Sequence, residues 1–215
     1  MKYIVLFICI LALSSCFSQK EVIKSSTIKI EGGTAGIRSL INIDGYYPIS
    51  SELRYGAITF FEDGTWVYFG FKSGIPIEEI KKNMSESVLN WSGNKQIRWG
   101  VDWGVYTIQN DTIIVHSYDK PALLKALAIS EIRYKVVDKN TIQRIYFRII
   151  SKADDDYYKT NSPWRYQEPM HFTPADSIPP SDNWLKENKW IWRNESDWKD
   201  YMQKVEQKKK QFKKK

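Results

Sequence analysis

Paired runs of alternating apolar and polar residues, joined by short turn sequences, constrain the fold of this chain more than any other feature. The turns are Asp63-Gly64, Asn110-Asp111 and Asp138-Lys139-Asn140. Residues of these types accept the backbone angles of a tight β-turn, so each turn predicts a hairpin. The predicted strands beside the three turns cover residues 55–62 and 65–71, 103–109 and 112–118, and 129–137 and 141–150. Three successive hairpins predict an antiparallel meander.

Alternation within the third hairpin indicates that one face of the sheet is buried. Ile132, Tyr134 and Val136 alternate with Arg133 and Lys135, a pattern typical of a strand with a core on one side and water on the other. Further strands are predicted at residues 39–47, 96–99 and 164–172, which brings the number to eight or nine. Eight antiparallel strands can close a small barrel and leave no free edge. We therefore expect an all-β fold, a small antiparallel up-and-down barrel of about eight strands.

Two helices are expected in addition to the strands. Residues 76–88 begin with a proline suited to a first helical position and continue with apolar residues at three- and four-residue steps. These residues are Ile77, Ile80, Met84 and Val88. This inserted helix is expected to cover a mouth or wall of the barrel. A C-terminal helix is predicted after Ser196, with an apolar stripe at Trp198, Tyr201, Met202 and Val205.

The segment before the C-terminal helix is rich in proline and tryptophan. Residues 173–203 hold four of the nine tryptophans, at positions 184, 190, 192 and 198. Because a large ring in an irregular segment buries much apolar area, we expect this Trp-rich segment to wrap and plug the sheet. Cys9 and Cys16 are the only cysteines. The N-terminal processing described in the next paragraph removes Cys9 and either acylates or removes Cys16, so we expect no disulfide in the mature chain.

The N-terminus has the three-part design of an export signal. Lys2 precedes an uncharged apolar run that ends at Leu13, and that run is shorter than the roughly twenty residues needed to span a bilayer. Leu13-Ser14-Ser15-Cys16 resembles a bacterial lipobox. The resemblance implies that residues 1–15 are removed, that Cys16 carries lipid, and that the protein is anchored in the cell envelope, in the outer membrane. The alternative is cleavage after Ser18, which predicts a soluble periplasmic or secreted protein.

The positive charge is confined to the C-terminus. The net charge is +7, and the last twelve residues, KVEQKKKQFKKK, hold seven lysines and one glutamate. The rest of the chain is therefore close to neutral, which argues against nucleic acid as a partner. Residues 204–215 predict either a solvated tail or an electrostatic contact with an envelope protein or with the phosphates of lipopolysaccharide or anionic lipid.

Three motifs occur in an order found in a known family. They are Ile-Asp-Gly-Tyr-Tyr at residues 43–47, Ile-Thr-Phe-Phe-Glu-Asp-Gly-Thr at 58–65, and Trp-Gly-Val-Tyr-Thr-Ile-Gln-Asn-Asp-Thr-Ile at 103–113. The order resembles the small lipocalin-like domains of bacterial envelope lipoproteins, over roughly residues 41–150. Two departures are Tyr46-Tyr47 in place of Gly-x-Trp and an insertion at residues 72–99. The organisation expected is a tether at 16–37, a barrel at 38–172, the Trp-rich segment at 173–203 and a basic tail at 204–215.

The family resemblance implies a ligand cavity at most. For a small hydrophobic ligand we expect a cavity lined by Phe60, Phe69, Tyr106, Ile114 and Tyr134.

Arg144 and Tyr146 are two residues apart on one predicted strand, and a guanidinium and a phenol on one face can bind a carboxylate together. Arg148 lies on the same predicted face, so the alternative is a solvent-facing polar stripe.

No constellation of catalytic or metal-binding residues is apparent, so no cofactor and no enzymatic activity are expected. His116 and His171 are the only histidines, and neither has a second ligand at zinc spacing. Asp154, Asp155 and Asp156 lack the spacing of a calcium loop. We expect a non-enzymatic protein that binds a small hydrophobic ligand or another envelope component. The alternatives are a structural or assembly factor that acts through the Trp-rich segment and the basic tail, and, third, a hydrolase.

Overall fold

The computed structural model describes residue 23 and residues 26–33, 35–51, 54–71, 98–119, 128–150, 168–175, 178 and 180–212. Several predictions fall outside these residues: the export signal and Cys16, the inserted helix at 76–88, and Asp154 to Asp156. They remain predictions.

Nine antiparallel strands and one α-helix dominate the described part of the chain. The strands are β1 (Gly45–Ser51), β2 (Arg54–Phe60), β3 (Thr65–Phe71), β4 (Arg98–Gln109), β5 (Thr112–Asp119), β6 (Ala128–Asp138), β7 (Thr141–Ile149), β8 (Met170–His171) and β9 (Thr173–Pro174). Short 3-10 helices occur at Ile37–Ser39 and Lys189–Ile191, and α1 covers Glu195–Phe212. The predicted C-terminal helix is α1.

The strands close into a nearly complete barrel. β1 to β7 pair in sequence order, β8 pairs with β7, and β9 pairs with β1. Phe172 separates β8 from β9, and its N–H donates to the Asn140 carbonyl at 2.7 Å. Residues 170–174 therefore act as one broken strand that joins both edges of the meander. The predicted all-β barrel is confirmed, with nine strands because the closing strand is interrupted.

The three predicted hairpin turns lie together at one end of the barrel, called here the hairpin end. Gly64 has φ 84° and Asn110 has φ 55°, the left-handed values that a tight turn needs. In the third turn the Asn140 N–H donates to Asp138 Oδ1 at 2.7 Å. Because the strands alternate in direction, the C-terminal ends of β3, β5 and β7 lie at the opposite end of the barrel.

Some predicted strand boundaries are wrong. The first strand was expected at 39–47, but residues 37–39 form a 3-10 turn and β1 starts at Gly45. The separate strands expected at 96–99 and 103–109 are one strand, since β4 runs without a break over Arg98–Gln109, and residues 96–97 lie outside the described chain. Residues 164–167 of the segment expected at 164–172 also lie outside it, and Met170 and His171 form β8. Apolar runs alone do not distinguish a turn of helix from a strand.

Residues 35–43 close the hairpin end. The Ala35 N–H donates to the Glu62 carbonyl at 2.6 Å, and the Asn42 N–H donates to the Lys139 carbonyl at 2.9 Å, so this segment crosses from one hairpin turn to another. Ile37 and Ile41 are fully buried in the interior cluster. Ile23 and Ile28 pack against the outer cluster and Ser26 is buried against β5, so described residues of the expected tether at 16–37 contact the barrel.

The two faces of the barrel wall pack against different partners. The interior cluster contains residues from every strand from β1 to β8. The outer face of β1 to β6 packs against Ile28 and Ile30 from the N-terminal segment and against Leu185 and Ile191 from the Trp-rich segment. The Trp-rich segment thus wraps the outside of the barrel, as expected, but the expected plug is supplied by residues 35–43 instead.

Candidate functional site

Three of the five predicted cavity residues meet inside the barrel. The Phe60 ring lies 5.6 Å from the Tyr106 ring and 5.8 Å from the Tyr134 ring, and both pairs are edge-to-face. Tyr47 from β1 completes this group at 6.3 Å from Phe60. Burial raises the pKa of the Tyr134 hydroxyl well above its usual value, an effect that the charge of Arg144 opposes. The rings of four strands thus fill the barrel around Phe60.

The other two predicted cavity residues lie outside the barrel. Phe69 and Ile114 belong to the outer cluster, together with residues of the Trp-rich segment. The reason is the two-residue period of a strand: Trp66 and Tyr68 of β3 pack with the interior cluster, so Phe69 faces away. The prediction that these two residues line an interior cavity is wrong.

A glycine in β4 gives space to the interior rings. Gly104 pairs with Trp66 across β3 and β4. A Cβ atom on Gly104 would lie 2.6 Å from the His116 carbonyl oxygen and 3.0 Å from Cε3 of the Trp66 ring. The close approach of Trp66 therefore depends on the absence of a side chain at residue 104.

Arg144 and Tyr146 lie on opposite faces of β7. Tyr134 pairs with Arg144 and Arg133 pairs with Tyr146, so Ile145 forms a β-bulge between them. Arg144 is buried on the interior side, 7% exposed, whereas the Arg133 guanidinium lies 4.6 Å over the Tyr146 ring on the outer side. The expected shared face is wrong, because the extra residue shifts the alternation by one. Arg148 is exposed, and its backbone lies opposite Glu131 in the register of β6 and β7.

Asp63, predicted only as a turn residue, also fastens the Trp-rich segment to the barrel. Its Oδ1 accepts hydrogen bonds from the N–H and hydroxyl of Thr65 at 3.0 and 2.5 Å. Its Oδ2 accepts from the Ser181 hydroxyl at 2.6 Å and from Lys186 Nζ at 2.8 Å. We call this group of four side chains the docking joint. Burial alone would raise the pKa of Asp63, but the charge of Lys186 and these hydrogen bonds outweigh burial and lower it.

The local fold of the Trp-rich segment presents Lys186 to the joint. Asn183 Oδ1 accepts hydrogen bonds from the backbone N–H groups of Leu185 and Lys186 at 2.9 and 3.3 Å. Lys186 is only 5% exposed, and its ammonium also lies 4.8 Å from the centre of the Tyr201 ring. Lys186 Nζ donates to Ser181 Oγ at 3.2 Å. Ser181 and Lys186 thus both donate to the same oxygen of Asp63, and this shared acceptor fastens the Trp-rich segment to the Asp63-Gly64 turn.

The outer surface of the Trp-rich segment is aromatic. All four of its tryptophans are partly exposed: Trp184, Trp190, Trp192 and Trp198. Trp190 packs against Tyr118 of β5 with ring centres 5.5 Å apart, and its carbonyl accepts a hydrogen bond from Lys29 Nζ at 2.8 Å. Trp192 Nε1 donates to the Lys186 carbonyl at 2.8 Å. These contacts hold Trp190 and Trp192 in place while both side chains remain partly exposed.

His116 is buried under this outer layer. It is 2% exposed, and its Nε2 atom lies 3.7 Å from Glu131 Oε2. Its Nδ1 atom has no hydrogen-bond partner among the described residues. Burial lowers the pKa of His116, Glu131 opposes that effect, and the charge of Lys29 adds to it. His171, in contrast, is exposed on β8.

A polar groove of about 360 Å³ lies beside the joint, on the outside of the barrel. It is bounded by residues 27–33, by the Asp63-Gly64 turn, by residues 106–109 of β4 and by Arg193. Arg193 pairs with Glu31 at 2.7 Å across the groove wall. The charged groups of this wall thus neutralise each other.

Within the described residues, no three His, Cys, Asp or Glu side chains converge to hold a metal ion. No helix in the same part of the chain combines the length and the apolar character needed to cross a membrane. Comparison of the whole chain with protein-family models, with curated proteins and with solved structures finds no match.

Proposed function

We propose that the protein is an exported, lipid-anchored, non-enzymatic protein of the bacterial cell envelope that binds another envelope component through its outer surface. The lipobox-like Leu13-Ser14-Ser15-Cys16 supports the anchor. The observation that carries the binding role is the Trp-rich segment, which holds four partly exposed tryptophans rigidly against the barrel. Tryptophan contributes strongly to the centres of protein interfaces, and pre-organised side chains lose little entropy on binding.

A small hydrophobic ligand inside the barrel is the version that the geometry supports less. Phe60, Tyr106 and Tyr134 contact one another, and residues 35–43 cover the hairpin end. Extraction of the purified protein with organic solvent, followed by mass spectrometry, tests this version. A stoichiometric lipid in the extract would favour it over surface binding.

Site-specific photo-crosslinking in living cells tests the surface proposal. A photoreactive residue is placed at Glu187, an exposed position among the tryptophans, and at Lys139, an exposed position in the β6–β7 turn, as the control. We expect a crosslinked product from position 187 and none from position 139. Equal products from both positions, or none from position 187, would contradict the proposal.

Mass analysis of the N-terminal peptide tests the anchor separately. We expect the chain purified from membranes to start at an acylated Cys16, and a Cys16→Ala variant to lose this mature form. A chain that starts at Gln19 without lipid would instead make the protein a soluble periplasmic or secreted one.

A further inference from the structure

The C-terminal end of α1 concentrates the charge of the molecule. The last twelve residues hold seven lysines and one glutamate, in a chain of net charge +7. The first turn of α1 is acidic, with Glu195 and Asp197. Acidic residues at the start of a helix and basic residues at its end both favour the helix dipole. The helix therefore presents an acidic start near the body and a basic end.

The start of α1 packs on the body, and its basic end is exposed, with Lys208 paired to Asp182 at 2.8 Å. Tyr201 packs against Trp192 with ring centres 5.5 Å apart, and Trp198 Nε1 donates to the Glu187 carbonyl at 3.1 Å. Lys204 and Lys210 are both exposed. Because successive helical residues differ by about 100°, these two lysines point to different sides of the helix. Positive charge on several sides suits a broad charged surface better than a single pocket.

The N-terminal segment enters the body beside the start of α1. The Ile30 N–H donates to the Ile191 carbonyl at 2.8 Å, and the Arg193 N–H donates to the Ile30 carbonyl at 2.8 Å. From Cys16 to Ile23, which packs against the outer cluster, the chain reaches at most about 25 Å. The eighteen residues of α1 extend about 27 Å. A lipid on Cys16 and the basic end of α1 thus start from nearly the same point and reach over similar distances.

We infer that the lysine-rich basic tail, residues 204–215, docks on the anionic phospholipid headgroups of the membrane that carries the N-terminal lipid. The membrane location rests on the proposed function. Every cation in this segment is a lysine. A lysine ammonium is a point charge, whereas an arginine can bind one phosphate through two hydrogen bonds. Lysines therefore suit diffuse attraction to many headgroups more than recognition of a single phosphate. A lipid chain together with a basic segment forms a two-part membrane attachment. The contact holds the body against the bilayer and positions the Trp-rich segment close to the membrane surface.

The test uses the full chain as processed by the producing bacterium, added to vesicles of phosphatidylcholine alone or with 30% phosphatidylglycerol. Flotation measures association, and mass spectrometry measures the rate at which an amine reagent modifies lysines of residues 204–215, with Lys139 as the reference in the same molecule. We expect protection of the basic segment of about tenfold, only in the anionic vesicles. The protection should disappear at about 0.5 M salt, because added salt screens exposed charges.

Two charge-matched variants make the test specific. Lys204→Gln with Lys210→Gln is expected to reduce the protection of the remaining lysines of residues 204–215 in anionic vesicles about tenfold. Arg38→Gln with Arg148→Gln removes the same charge from exposed positions of the body, keeps the reference Lys139, and is expected to leave that protection unchanged. Equal reactivity in both kinds of vesicle, or equal effects of the two variants, would overturn the inference. So would protection by lipopolysaccharide or inorganic phosphate without protection by the anionic vesicles.

If Cys16 carries no lipid, the flotation and protection measurements give a different combination of results. A chain without lipid would not float with phosphatidylcholine vesicles, yet its basic segment would still be protected in anionic ones if the inference holds. The binding partner proposed for the tryptophans is absent from both samples, so its existence does not influence either readout.

Discussion

At the scale of single residues, Asp63 combines two roles that a sequence motif shows only in part. Asp63-Gly64 predicts a tight turn, and the structure contains that turn. The same carboxylate accepts hydrogen bonds from Ser181 and Lys186, which are 118 and 123 residues away along the chain. One side chain therefore shapes a hairpin and fastens the C-terminal part of the protein to it.

We predict that Lys186→Met lowers the free energy of unfolding by about 1–3 kcal/mol, because it leaves the Asp63 carboxylate without its charged donor. The control is Lys189→Met, which removes an exposed ion pair with Glu195. Exposed pairs contribute about 0–1 kcal/mol, so this control should be mild. Chemical denaturation measures both variants, and a cycle with Asp63→Asn isolates the pair. Equal effects of the two lysine variants would contradict the role of the joint.

His116 predicts a dependence of stability on pH. Burial depresses the pKa of His116 in the folded protein below its usual value of 6.5, and Glu131 and Lys29 are the charged groups that act on it. The unfolded chain thus binds a proton at a higher pH than the folded protein does. The contribution of His116 is complete above pH 6.5 and is lost as the pH falls through the depressed folded-state pKa, with a slope of at most about 1.4 kcal/mol per pH unit.

Denaturation of His116→Gln and His171→Gln between pH 7.5 and 5 measures this contribution. The His116 variant should show a weaker loss of stability in acid than the unmodified protein. The His171 variant replaces the exposed histidine and should keep the original pH dependence. A pH dependence that follows His171 instead would show that the burial of His116 is not the cause.

At the scale of the elements, alternation along the strands decides which side chains meet. In β3, Trp66 and Tyr68 pack with the interior cluster while Val67 and Phe69 pack outside. The bulge at Ile145 shifts this order in β7, so that Arg144 and Phe147 pack on the interior side. Strand periodicity thus predicts faces correctly until a bulge occurs, and the sequence of β7 does not indicate its bulge.

We predict that Phe60→Ala lowers the free energy of unfolding by about 3–5 kcal/mol, the range for a large ring removed from a filled core. Phe60 is 1% exposed and contacts three tyrosine rings. Val137→Ala serves as the control, since Val137 is 56% exposed and exposed substitutions stay within about 0.5 kcal/mol. Urea denaturation compares them. A loss near 1 kcal/mol for Phe60→Ala would indicate that its ring borders open space.

At the scale of the whole molecule, the two terminal segments complete the barrel on its outer side. The outer face of β1 to β6 carries Trp103, Val105 and Tyr118, which are apolar or aromatic and buried beneath these segments. A sheet with both faces covered needs a second layer of chain. The Trp-rich segment provides much of this layer, so it belongs to the folded body and not to a separate unit.

We predict different results from two C-terminal truncations. A chain that ends at Ile178 exposes the outer cluster and should bind hydrophobic dyes and lose its cooperative thermal transition. A chain that ends at Gln203 removes the basic segment, whose described ion pair joins Lys208 to Asp182 on the surface. It should keep its free energy of unfolding within about 1 kcal/mol. Loss of the cooperative transition in the shorter truncation would mean that the basic segment is part of the core.

The sequence by itself determined the all-β class, the three hairpin turns, the C-terminal helix and the position of the positive charge. These features follow from backbone preferences and side-chain patterns that act within a few residues. Only the tertiary structure decided that residues 35–43 close the barrel, that Trp184, Trp190 and Trp192 pack outside it, that Arg144 and Tyr146 face opposite ways, and that Asp63 holds Lys186. Those outcomes depend on which distant surfaces fit together once the barrel closes, and no local pattern in the chain encodes the contact between residues more than a hundred positions apart.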